Sequence, residues 1–170
     1  MSFEIRILNQ HWISPDAGSY DLCSHGEIYL QVNNTVLSDV GQDWTLNVTG
    51  LQLLRSLKNG RDQENSQNQA MFNCCGEIFP GMGCPTQVDW DVELAGEEVR
   101  LSNFRNCPEW SGRSQHYPDL QARISRAEYR EQVLTFARQA KEFYFTAIKT
   151  ETDEYVEEFW KEYDDLLNTV

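Results

Sequence analysis

The sequence predicts an α+β fold: an antiparallel β-sheet of about five to seven strands, with a short helix and two long C-terminal helices packed on it. Three observations carry this. Apolar residues alternate with polar ones at 3–8, 27–32 and 86–94, the period of a half-buried strand. Apolar residues recur at helical spacing over 126–148 and 153–167. The strands come first and the long helices last, which is the order of an α+β chain. At 170 residues the chain suits one domain, sheet-rich over 1–104, a loop over 105–124 and helical over 125–168.

In 3–8, Phe3, Ile5 and Ile7 oppose Glu4 and Arg6. Residues 9–26 are rich in turn formers. Ile28, Leu30 and Val32 then alternate with polar neighbours, and Asn33-Asn34 suits a tight hairpin to Thr35–Ser38, because asparagine tolerates positive φ. Residues 44–48 (WTLNV) read as a strand. Thr49 can cap a helix over 50–58 whose buried stripe is Leu51, Leu54 and Leu57, with Gly60 as terminator. Residues 59–69 contain no apolar side chain, and read as a solvated loop; 70–74 can form a short strand.

Over 86–94, Val88, Trp90, Val92 and Leu94 face one way, and Asp89, Asp91 and Glu93 the other. A two-residue Ala95-Gly96 turn would place Val92 opposite Val99, Trp90 opposite Leu101, Asp91 opposite Arg100 and Glu93 opposite Glu98. Ser125 and Glu128 form a capping box for the helix that follows. Its stripe runs from Tyr129 and Val133 to Tyr144, Ala147 and Ile148. The last helix buries Tyr155, Val156, Phe159, Trp160, Tyr163, Leu166 and Leu167.

Charge is the strongest functional signal. Asp and Glu number 27 against 14 Lys and Arg, a net of −13. Such a chain repels nucleic acid and anionic membrane, and leaves basic proteins, cations and neutral small molecules as partners. Eight of the acids lie in 151–170, with Lys161 as the one base there. Glu154, Glu158, Glu162 and Asp165 make a ridge of like charges along the helix, each contact mildly unfavourable. Asp164 and Asp165 also sit near the negative end of the helix dipole, whereas Glu157 can pair with Lys161 four residues on. Stability alone does not select that ridge. A second acidic row is Asp89, Asp91 and Glu93, read as a second patch for the same partner; as paired carboxylates for hydrolysis they lack any supporting motif. Trp110 and Tyr117 are candidate aromatic hot spots.

The residues offer no catalytic motif: no G-x-S-x-G, Walker loop, G-x-G-x-x-G or H-E-x-x-H. The expectation is a protein that is not an enzyme and needs no cofactor. Histidines are His11, His25 and His116, with His25 read as a turn residue. Cys74, Cys75, Cys84 and Cys107, with His25 or His116, could ligate zinc, although paired C-x2-C knuckles are lacking. Cys23 completes five cysteines, read mainly as small buried side chains. The N-terminus (MSFEIRILNQ) lacks the pattern of a signal peptide, and no run approaches a membrane span, so a cytoplasmic protein is expected.

The runs DWTLNVTGLQLLRSL, CCGEIFPGMGCPTQVDWDVEL and FWKEYDDLL resemble a family of small acidic bacterial immunity proteins found in toxin systems such as contact-dependent growth inhibition. The likeness spans much of 26–167. It implies binding and neutralising a cognate basic toxin domain, most simply a nuclease whose active site the acids would occlude. Two other readings stay open on the residues: a cysteine-based zinc protein or enzyme, and a small-molecule regulatory module using the loops at 9–26 and 105–119.

Overall fold

The computed structural model describes residues 1–64, 69–74, 78, 85–107, 114–150, 152 and 154–170. Their strands divide into two antiparallel sheets rather than one. The first contains β1 (Phe3–Ile7), β2 (His25–Val32), β3 (Thr35–Ser38) and β4 (Asp43–Thr45). Along its whole length β1 pairs with β2, while the other edge of β2 pairs with β3 near its end and with β4 near its start. Asn33 takes φ 53° in the β2–β3 turn, as expected of asparagine there.

The second sheet contains β5 (Phe72–Asn73), β6 (Gln87–Ala95), β7 (Glu98–Cys107), β8 (Gln115–Tyr117) and β9 (Ala122–Ser125). β8 and β9 share the far edge of β7. The stretch over 105–124, expected as a loop, therefore supplies the end of one strand and two short ones. The β6–β7 hairpin is shifted by two residues from the expected register: Val92 faces Leu101, Glu93 faces Arg100 and Ala95 faces Glu98. The turn is Gly96-Glu97, with Gly96 at φ 65°, a position where a two-residue hairpin takes glycine. This register puts opposite charges at Glu93 and Arg100 and removes the Glu93–Glu98 clash.

Three helices complete the fold: α1 (Leu46–Asn59), α2 (Arg126–Tyr144) and α3 (Glu154–Thr169). α1 starts four residues before the expected position, with Thr45 as its boundary residue. Thr49 lies inside the helix and donates to the Thr45 carbonyl at 2.7 Å. Asn47 is also helical, and its side chain holds the Ser24 amide at 3.0 Å and the Leu22 carbonyl at 3.1 Å. α1 is buried on almost every side, by α2, α3 and the sheets. Between the sheets an aromatic chain runs Trp44–Phe72–Trp90–Phe3–Tyr129, with ring centroids 5.4–5.9 Å apart.

Half of the expected capping box of α2 forms: Ser125 Oγ accepts from the Glu128 amide at 3.1 Å, without a reciprocal bond from the Ser125 amide to the Glu128 carboxylate among the described residues. The helix ends at Tyr144, short of Ile148. Thr146 folds back on the Phe143 carbonyl, and Lys149 and Thr150 pull the chain onto the Ala17–Asp21 segment. Ile148 is consequently 90% exposed, not part of the buried stripe. Tyr155 is likewise 56% exposed. Of the remaining α3 stripe, Val156, Phe159, Trp160, Tyr163 and Leu166 are buried as read and Leu167 is half-buried.

Candidate functional site

The acidic ridge separates into two kinds of residue once α3 is packed. Its apolar side faces the core, so the intervening positions point outward. Glu154, Glu157, Glu158 and Asp165 are exposed and form no ion pair among the described residues. The expected Glu157–Lys161 pair is therefore not made. Glu162 differs from its neighbours. Arg55 of α1 donates to it through Nε at 2.7 Å and Nη2 at 2.6 Å, and these bonds hold its carboxyl below the usual glutamate range. Asp164 is tied to Lys141 of α2, which offsets its position near the negative helix end. Glu162, expected as a partner anchor, is instead a strut between α3 and α1.

Exposed apolar side chains lie on the same helix and on the connection before it. Phe145 (54% exposed) and Ile148 lie on the α2–α3 connection, and Tyr155 opens α3. Phe145 rests on Trp160 with ring centroids 4.9 Å apart, so its position is fixed. Lys149 fixes the same corner from the other side. Its ammonium lies 3.7 Å from the Trp12 ring centroid and 4.1 Å from that of Tyr144. It donates to the carbonyls of Gly18 at 2.8 Å and Asp21 at 2.7 Å. Burial pushes its pKa down, to about 8, against the opposing pull of the Asp21 carboxylate.

The second acidic row is not an open patch. The alternation along β6 is as read, but the polar face is covered by the chain after α1. Arg61 pairs with Val92 through both backbone groups, and from that edge the side chains of Arg61 and Gln63 reach over the sheet. Arg61 donates to Asp89 at 2.9 and 3.1 Å, and Asp89 also accepts from the amides of Met71 and Trp90, each at 3.1 Å. Desolvation raises the Asp89 pKa despite the Arg61 charge. Asp91 accepts from the Gln63 amide, the Gln63 side chain and Asn103 at 2.9–3.2 Å. Asp89 and Asp91 are thus structural, contrary to the expectation of a partner patch. Glu93 alone of the row is exposed, 3.4 Å from Arg100. The segment expected as a solvated loop is the one that buries Arg61.

Tyr117 is half-buried against the core and opposite Phe104, and burial raises its phenol pKa. Trp110, Cys75 and Cys84 lie outside the described residues. Cys74 and Cys107 sit at the same end of the second sheet, near Thr86 and opposite Gln87 respectively. Among the described residues no group of three or more His, Cys, Asp or Glu side chains is arranged to hold a metal ion. His25 belongs to β2, not to a turn, and lies 3.5 Å from Asp21. No described helix is long and apolar enough to cross a membrane.

No protein-family model matches the chain, and neither a curated protein nor a solved structure was found to match it.

Proposed function

We propose that this protein is an immunity protein that binds a basic toxin domain through the outward face of α3 and the α2–α3 corner. The observation that carries this is the division of the α3 acids. Glu162 and Asp164 are used in internal struts, whereas Glu154, Glu157, Glu158 and Asp165 stand exposed, as do Phe145 and Ile148 before α3 and Tyr155 in its first turn. An apolar centre with a charged rim is the usual anatomy of a protein–protein interface. Carboxylates in a row suit a nuclease, whose surface is basic because its substrate is polyanionic. Steering by such a face can raise association to roughly 10⁸–10⁹ M⁻¹s⁻¹ at low salt. Glu93 adds to the same negative field, and Asp89 and Asp91 are left out of the interface.

The test is neutralisation. The toxin domain encoded beside this chain is expressed in cells with and without it, and growth is followed. Wild type is expected to restore growth, and Glu154→Lys with Glu158→Lys to lose protection while staying folded. The reading is overturned if the adjacent genes encode no such domain, or if the double variant protects as well as wild type.

A further inference from the structure

We infer that the outer edge of β1, where it faces the C-terminal half of α2, is a docking site for an extended, basic peptide segment that adds as a strand. This rests on a surface separate from α3 and does not depend on the toxin reading. The pairing of β1 with β2 fixes which backbone groups look outward. Asn33 N–H donates to Ser2 C=O, and Leu8 N–H to Glu27 C=O, both at 2.8 Å, so even-numbered residues bond to β2. Phe3, Ile5 and Ile7 must therefore point their N–H and C=O groups away from the sheet.

Part of that edge is already closed. Gln132 of α2 accepts from Ile5 N–H and donates to Phe3 C=O, both at 2.9 Å. Its side-chain amide stands in for one peptide unit of a neighbouring strand. Beyond it, Ile5 C=O and both outward groups of Ile7 have no hydrogen-bond partner among the described residues. A groove of about 430 Å³ opens at that point, lined by Ile7–Gln10 and by Gln139, Glu142, Phe143 and Thr146. Gln10 Oε1, at the same place, is a buried acceptor without a partner.

These features select the occupant. Unpaired strand-edge groups are matched by another extended backbone, not by a helix or a small apolar ligand. Ile7 and Phe143 offer apolar contact to one side of such a strand. Glu142 is exposed and makes no ion pair among the described residues, so it favours lysine or arginine on the other.

The probe is the acetylated, amidated pentapeptide Lys-Val-Lys-Val-Lys, titrated into the full chain and followed by amide NMR. In the free protein the Ile7 amide is expected to exchange quickly, while those of Arg6 and Leu8 are protected. On titration the Ile7 amide should shift and gain protection. The same peptide N-methylated at its two valines keeps its charge but loses the ladder donors, and should bind roughly tenfold more weakly or worse. Glu142→Gln should weaken the unmodified peptide with Ile7 still perturbed. Equal affinity for the N-methylated peptide overturns the proposal. So does a saturating titration that leaves Ile7 unmoved, and so do shifts confined to α3, which would mark simple attraction to its acids.

Discussion

Arg61 grips both carboxylate oxygens of Asp89 from a position 28 residues earlier in the chain, and both side chains are almost wholly buried. The pair joins the segment after α1 to β6 and carries the amides of Met71 and Trp90 with it. Breaking a buried pair leaves an uncompensated charge. Asp89→Asn is therefore expected to cost about 3–5 kcal/mol of stability in urea unfolding. Replacing both partners, Asp89→Leu with Arg61→Met, should cost less than Asp89→Asn alone, since neither charge remains buried. A loss below about 1 kcal/mol for Asp89→Asn would mean that water reaches the pair.

Gly50 sits in the interior of α1, where glycine is normally unfavourable by about 0.5–1 kcal/mol relative to alanine. A Cβ there would lie 2.1 Å from the hydroxyl of Tyr163. Tyr163 is fully buried, and its hydroxyl donates to the Ala137 carbonyl at 2.9 Å. One phenol thus locks α3 to α2 across α1. Gly50→Ala should destabilise by about 1–3 kcal/mol through overpacking, despite its better helix propensity. In a Tyr163→Phe background the same change should cost clearly less, because the conflicting oxygen is gone. Additive losses in that double-mutant cycle would contradict this contact.

Local signals in the sequence were sufficient for the parts that depend on neighbours in the chain. The Ser125–Glu128 cap, the Asn33 turn and the buried stripe of α3 all follow from residues a few positions apart. The charge roles did not, because they depend on distant partners. Glu158 and Glu162 look alike in the sequence, yet only Glu162 meets Arg55, 107 residues away. The alternation around Asp89 correctly separates two faces, but nothing local says that Arg61 will cover the polar one. Gln132 closes the β1 edge from 127 residues away. The one available hint was a lone arginine just past the Gly60 helix stop, in a stretch otherwise suited to solvent.

The Arg55–Glu162 strut predicts an acid-side pH dependence. Arg55 holds the Glu162 carboxyl below its ordinary value of 4.5. In the window between that depressed value and 4.5 the unfolded chain binds more protons than the native one. Stability therefore falls as pH drops through it, and the contribution is fully present above it. Both side chains remain partly exposed, so solvent screening limits the pair to about 0.2–1 kcal/mol. Urea unfolding of wild type and Glu162→Gln should differ by that amount above about pH 5.5 and converge toward acid. A difference that does not change with pH would place the effect in packing and not in charge.

The exposed α3 acids should behave in the opposite way. Glu154 and Glu158 lie one turn apart on the solvent face, and like charges at that spacing repel by a few tenths of a kcal/mol. Converting Glu158 alone to lysine replaces that repulsion with an attractive pair, so its unfolding free energy should match or slightly exceed that of wild type, within about 0.5 kcal/mol. Glu162→Lys, one turn further along, should lose stability, because it sets a lysine against Arg55. The contrast separates charge kept for the fold from charge kept for a partner. If Glu158→Lys destabilised as much as Glu162→Lys, the exposed acids would also be structural, and α3 would no longer offer an uncommitted face.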